Sequence, residues 1–259
     1  MLHRFAVSNF QSFRDRVEVD WTLDRRVPPG VWSFPASTGE RVSTVMGVMG
    51  PNASGKTALL KPILFIVWFI AHSFGADPAA PLPFKPHAAA ADGEVTEFEV
   101  EADMNGRLMR YVLRCTPERV VYEALFARHE RMRYVFIREW NPNTSSYDVK
   151  QQDFGFAASE ARKVRPNASL IATAAQYGVS LAKQLVTSHV GSNIDQFGRQ
   201  VNDTVQLARS AAFFAQEDAL RTQLSHLLAS WDLGLHDVLV RELQSITPEG
   251  KTENFWLPF

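Results

Sequence analysis

The sequence predicts an α/β fold in three parts, a strand-loop-helix layer, an antiparallel β arm and a helical lobe, with two closing strands returning to the first layer. Three observations predict it. Residues 42–49 form an apolar run, residues 50–57 read Gly-Pro-Asn-Ala-Ser-Gly-Lys-Thr, and residues 58–74 carry an apolar helical pattern. Residues 94–150 switch to alternation of apolar and polar side chains broken by turn residues, which is the pattern of half-buried strands. From Ala168 onward apolar positions recur at helical spacing. The segments that follow are 1–93 for the N-terminal strands and loop layer, 94–150 for the arm, 151–235 for the helical lobe and 236–259 for the returning strands.

Taken in order, Leu2, Arg4 and Ala6 alternate with His3, Phe5 and Val7 as a first strand, and residues 17–21 make a second. Val27, Pro28, Pro29 and Gly30 mark a turn before the apolar run at 42–49, which reads as a buried strand. In the helix behind the loop, residues 63–71 are apolar on every side, as suits a helix covered by two layers. Pro62 lies about a turn inside it and removes a hydrogen bond or kinks it. Residues 75–93, rich in Pro and Ala, read as a mobile connection. In the arm, Asn105-Gly106 is a hairpin signal between strands at 95–100 and 110–115, and strands at 119–127, 133–139 and 147–150 continue the meander, with a turn at Asn141, Pro142 and Asn143. Helices are expected at 170–177, 181–189 and 206–214. Ala219, Leu220, Leu224, Leu227, Leu228 and Trp231 line one face of a longer one that ends near Gly234. Residues 236–242 and 255–259 are the closing strands, with a turn at 248–251.

The octet from Gly50 to Thr57 matches the phosphate-loop pattern G-x-x-x-x-G-K-[ST] in full. A match this long arises by chance on the order of once in a hundred chains of this length. Glycines at 50 and 55 let the backbone curl where a Cβ would collide, and successive N–H groups at the helix start then face an anion. Pro51, Asn52, Ala53, Ser54 and Ala58 complete the cradle, Lys56 neutralises β- and γ-phosphate charge, and the Thr57 hydroxyl is a ligand for Mg²⁺. ATP and Mg²⁺ are therefore the expected cofactors.

Composition narrows the alternatives. At 259 residues and 46% apolar the chain has material for a real core, and a net charge of −1 gives no global case for nucleic acid or an anionic membrane surface. The apolar stretch at 63–71 is far short of the roughly 20 residues that span a bilayer. The single cysteine, Cys115, cannot form an internal disulfide, and the opening lacks the long apolar run of a signal peptide, so the cytoplasm is the expected location. The seven histidines lack metal-ligand spacing. Arg128, His129, Arg131 and Arg133, with Arg138 nearby, are a weak nucleic-acid signal, since such runs are more often solvated surface. The acidic strand end that completes a hydrolytic site is not evident: residues 98–101 alternate, and Arg241 interrupts residues 238–242.

The opening Phe5-x-Val7-x-Asn9-Phe10-x-Ser12-Phe13, the phosphate loop, residues 170–176 and the segment from Leu233 to Glu242 together resemble the AAA ATPases of the abortive-infection kind, relatives of RecF, OLD and SMC heads with an ABC-type fold. The resemblance implies an ABC-type P-loop NTPase head that forms a homodimer on ATP binding and switches an effector protein in phage defence or DNA maintenance. It also implies a glutamine that senses the γ-phosphate and Mg²⁺, for which Gln176 is the first candidate and Gln152 the second; the bland reading is a glutamine on a helix surface. Where relatives carry a basic residue after Asn-Phe, this chain has Gln11. The apolar Leu257-Pro258-Phe259 resembles the strand that precedes the signature loop and acidic strand of such heads, so the chain is expected to be an N-terminal fragment. Hydrolysis is then expected of the intact protein and not of this chain alone. Two other classes compete: a nucleotide-binding scaffold without turnover, and a P-loop kinase, against which the long meander and the strands ahead of the loop count.

Overall fold

The structure, a computed structural model, describes residues 1–104, 106–187, 191–200, 204–231, 234–246 and 252–258. Asn105, His189, Leu233, the turn at 248–251 and Phe259 lie outside the described residues. The chain falls into two compact units, Met1–Arg199 and Gln200–Phe259.

The first unit is mixed α/β. Its strands are β1 (Leu2–Ser8), β2 (Val17–Asp20), β3 (Ser33–Pro35) and β4 (Arg41–Ser43), followed by helix α1 (Lys56–His72). The meander then runs through β5 (Thr96–Met104), β6 (Arg107–Cys115), β7 (Val120–Arg128), β8 (Met132–Asn141) and β9 (Ser146–Gln151), and short helices α2 (Ala158–Ala161), α3 (Leu170–Gln176) and α4 (Ser180–Val186) close the unit. Seven strands make one sheet in the order β2-β1-β5-β6-β7-β8-β9, with every neighbouring pair antiparallel. The expected β arm is therefore not separate from the N-terminal strands. Val7 pairs with Phe98 and Phe5 with Val100, so β1 is an inner strand of the arm's own sheet.

Alternation decides which side of that sheet is covered. Tyr111, Leu113 and Cys115 of β6, Leu125 of β7 and Phe136 of β8 are buried under the helices. Helix α1 packs on β5, α3 and α4. Rings from four places in the sequence lock it there: Phe65 of α1 lies 4.8 Å from Phe98 and 5.2 Å from Phe84, and Phe10 lies 5.5 Å from Phe98. Such ring pairs contribute about 0.5–1.5 kcal/mol each beyond area burial. With a 3-10 turn at Ser73–Gly75, the helical stretch Lys56–Gly75 has 20 residues and contains an 18-residue window with a mean hydropathy of 1.7, the one stretch among the described residues long and apolar enough to cross a membrane by length and composition. The expectation of a segment far too short is thus corrected for the helix as a whole, while Phe65, Ile66 and Phe69 are buried in this unit's core.

Two further expectations change. Residues 42–49 are not a buried strand: only Arg41–Ser43 is strand, paired with β3, and beyond it Val45 and Met49 are 73% and 93% exposed. An apolar run makes a strand only where neighbours supply its hydrogen bonds: Thr44 N still donates to Trp32 O at 2.9 Å, but among the described residues no strand flanks residues 45–49. The connection at 75–93 is pinned instead of loose. Asn167 Nδ2 donates to the carbonyls of Asp77, Pro78 and Ala80, Arg165 donates to those of Ser73, Phe74 and Ala76, and Leu82 N donates to Pro117 O.

The second unit holds α5 (Thr204–Gln216), α6 (Asp218–Ala229), β10 (Val240–Ile246) and β11 (Thr252–Pro258). The two strands form an antiparallel ribbon on which α5 packs. Regular structure begins at Val240 and not at His236, because Asp237 and Val238 are tied to Ser225 of α6: the Ser225 hydroxyl donates to Asp237 Oδ1 at 2.7 Å and accepts Val238 N at 3.0 Å.

Candidate functional site

The loop at residues 50–57 lies at the start of α1, and its conformation accounts for its residue types. Ser54 N donates to Pro51 O at 3.3 Å, closing a turn that places Ala53 at φ 63° and Gly55 at φ 91°. A Cβ on Gly50 would lie 2.7 Å from Ser54 Oγ, so this glycine leaves the space that the Ser54 hydroxyl takes, whereas Gly55 is needed for its left-handed backbone. Ala53 adopts the left-handed region with a side chain, at a cost of about 1–2 kcal/mol.

Helix α1 starts at Lys56 with no side-chain cap and no acidic residue in its first turn. Leu59 N donates to Gly55 O at 2.9 Å, but the N–H groups of Lys56, Thr57 and Ala58 make no hydrogen bond among the described residues. Three unpaired donors and the positive end of a 17-residue helix dipole thus meet at one point. Lys56 Nζ turns back onto the loop, donating to Gly50 O at 2.8 Å and Pro51 O at 2.6 Å. Its ammonium is held above the loop's own carbonyls, and Thr57 is exposed.

The surroundings come from distant segments. Asn9 and Gln11 both take positive φ, at 53° and 47°, which folds residues 9–14 into a tight turn closed by Phe10 and Phe13. Asn9 fastens this turn: its Nδ2 donates to the carbonyls of Glu94 and Val95, and its Oδ1 accepts His87 N. The turn delivers Ser12 and Phe13 to within 3.8 Å of the position a Gly55 Cβ would take. A second turn, at residues 195–199, lies against α1. Asp195 Oδ1 accepts the N–H groups of Phe197 and Arg199, and Gly198 so closely approaches α1 that an added Cβ would strike Lys61 and come 3.6 Å from Thr57 Cγ2. The Asp-x-x-Gly spacing at 195–198 was its signal.

Gln176 is not brought to this site. It is exposed at the last position of α3, and its neighbour Tyr177 shares a recess with Phe74 beyond the far end of α1, which is about 25 Å long. Gln152 sits at the other side of the sheet, where its N–H donates to Val135 O. Neither glutamine lies beside Thr57. Among the described residues no three His, Cys, Asp or Glu side chains converge as a metal site. Cys115 is fully buried, and burial first, then the nearby Glu123 carboxylate, push its thiol well up, which excludes it as a nucleophile.

Arg138 is likewise removed from the surface cluster in which the sequence placed it. It is fully buried, 3.3 Å from the equally buried Glu123, and donates to the carbonyls of Val164, Arg165 and Ala168. Glu123 in turn accepts from the Tyr111 and Ser169 hydroxyls and from Leu170 N, at the start of α3. Strand parity carried the signal, because Arg138 shares a face with the core residue Phe136. The pair joins the sheet to the helical lobe.

No known protein family matches the chain, and no curated protein matches it.

Proposed function

We propose that the chain binds a nucleoside triphosphate, ATP, together with Mg²⁺ at residues 50–58, and that this binding works as a switch. What carries the reading is the set of unpaired N–H groups of Lys56, Thr57 and Ala58 at the head of a long helix, beneath a lysine whose ammonium rests only on the loop's own carbonyls. The donors suit phosphate oxygens, and Lys56 exchanges its carbonyl contacts for the β- and γ-phosphates. Mg²⁺ fits the exposed Thr57 hydroxyl and would screen phosphate charge there. The finer fold, an ABC-type P-loop head, rests on the loop and on the antiparallel sheet that contains β1, and it requires residues 45–49 to acquire strand neighbours that the described residues do not supply.

A second reading is favoured by one observation. Val45, Met46, Val48, Met49 and Leu60 expose apolar side chains beside the loop, which supports nucleotide-dependent homodimerisation. Together with the resemblance to abortive-infection ATPases, this extends the proposal to a cytoplasmic ATPase head that controls an effector protein in phage defence or DNA maintenance.

Thermal melting with ATP and Mg²⁺ tests the first reading. At ligand about 100-fold above Kd, linkage adds about 2.7 kcal/mol, or a rise of several degrees. Lys56→Ala should weaken the response about 10- to 100-fold, as loss of a charge-assisted contact does. An identical rise in Lys56→Ala overturns the site. Phosphate release separates a passive switch, which stays at background, from an ATPase. Light scattering with and without ATP tests association.

A further inference from the structure

The uncovered face of the seven-stranded sheet is divided electrostatically. Toward β2, its arginines are paired: Arg4 lies 2.9 Å from Glu101, Arg16 is 3.0 Å from Glu97 and 2.9 Å from Glu99, and Arg114 is 2.6 Å from Glu97. At the opposite corner, where the β5–β6 and β7–β8 hairpins turn, Arg110 and Arg128 of this face, Arg131 in the turn, and Arg107 and Arg133, which pair with Met104 and Ala127 at the hairpin ends, have no ion pair or side-chain hydrogen bond among the described residues. Two carboxylates share these turns, the exposed Glu130 and Asp103, which is engaged by His3 and Ser37 N. A chain with a net charge of −1 thus concentrates unpaired guanidinium groups at one place.

Aromatic surface is interleaved with that charge. Phe126 stands opposite Arg110 on β6 and opposite Tyr134 on β8, so the three share one face. The Arg110 guanidinium stacks 4.8 Å from the centre of the Phe126 ring, and its Nε is buried without a hydrogen-bond partner. These side chains, with Arg131 and Arg133, line an open recess of about 610 Å³. Beside it, Arg107, Arg128 and His129 line another of about 360 Å³ at the hairpin ends.

We propose that this corner binds single-stranded nucleic acid, with phosphates on the arginines of the hairpin ends and bases stacked against Phe126 and Tyr134. Arginine presents a planar fork that suits phosphate and stacks on rings. An acidic protein segment would use the charge but has no planar groups for the ring-lined recess, and a duplex keeps its base faces covered. The half of the face already neutralised by glutamates defines where the strand stops.

The test is fluorescence anisotropy of the full chain with a labelled oligo(dT) or oligo(rU) of about 20 nucleotides, titrated from about 50 to about 200 mM KCl. Saturable binding that falls steeply with salt is expected. Arg131→Ala with Arg133→Ala, both at exposed positions, should flatten the log–log slope by about 1.4, at about 0.7 per phosphate contact. Phe126→Leu should weaken binding about 10-fold with the slope unchanged, because it removes stacking and not charge. Arg16→Ala, whose arginine is already paired, should bind as the parent does. The proposal is overturned if no oligonucleotide binds at the lowest salt or if Arg16→Ala loses as much as the double variant. Equal binding of duplex or polyglutamate, unaffected by Phe126→Leu, overturns it too. Melting temperatures of the variants identify any loss due to unfolding, in which case Tyr134→Leu replaces Phe126→Leu and is judged by the same outcomes.

Discussion

Gly50 and Gly55 are both glycines of the phosphate-loop pattern, yet they are needed for different reasons, space at the first and a left-handed backbone at the second. This difference is testable. Gly50→Ala places a methyl group 2.7 Å from Ser54 Oγ but 3.5 Å from Ser54 Cβ, so adding Ser54→Ala removes the collision. In melting experiments Gly50→Ala should lose most of the stabilisation by ATP and Mg²⁺, and the double variant should recover a large part of it. Failure to recover would mean that the loop needs Ser54 Oγ itself. The residue scale also shows how differently two arginines of one strand fare. Arg133 is exposed at the hairpin end and Arg138 is sealed against Glu123; the register shift between them places both opposite buried residues of β7, so the distinction is made by the cover over Arg138, whose carbonyls lie about 30 residues further along the chain.

At the scale of elements, the five strands of the meander and helices α3 to α6 stand close to where periodicity put them, because alternation and helical spacing are local signals. The Pro- and Ala-rich connection could not be read in this way. Its fixing comes from distant groups, among them Asn167, whose Nδ2 lies 2.9, 3.2 and 2.8 Å from the carbonyls of Asp77, Pro78 and Ala80. Removing that donor leaves carbonyls unsatisfied in a part-buried site, at a cost of about 1–3 kcal/mol. Asn167→Ala should therefore lower the urea midpoint and speed chymotryptic cleavage after Phe84, while the ATP response persists. Unchanged cleavage would mean that Arg165 and Leu82 hold the segment by themselves. The run at 44–49 is the opposite case: its residues are suited to a strand, but the hydrogen-bond partners that make one are not set by the run itself.

The whole molecule is two units of unequal content. The main buried cluster runs from Val7 to Leu185 and lies within Met1–Arg199, as do the loop, the turn at 195–199 that abuts Lys61, and the arginine corner. A fragment of residues 1–199 should accordingly melt cooperatively and keep both its ATP response and its oligonucleotide binding. Circular dichroism and anisotropy check this, and an unfolded fragment would show that the second unit is part of the first unit's stability. By itself the sequence determined the glycine-framed loop at residues 50–57, the helix behind it and the meander, since each is written in consecutive residues whose spacing or backbone freedom has one structural meaning. Only the tertiary structure decided that β1 belongs to the meander's sheet, that Arg138 is a buried strut, that Gln176 stands far from Thr57, and that the unpaired arginines share one corner. Those outcomes depend on which strands pair and on what covers each face, and both are properties of residues far apart in the chain.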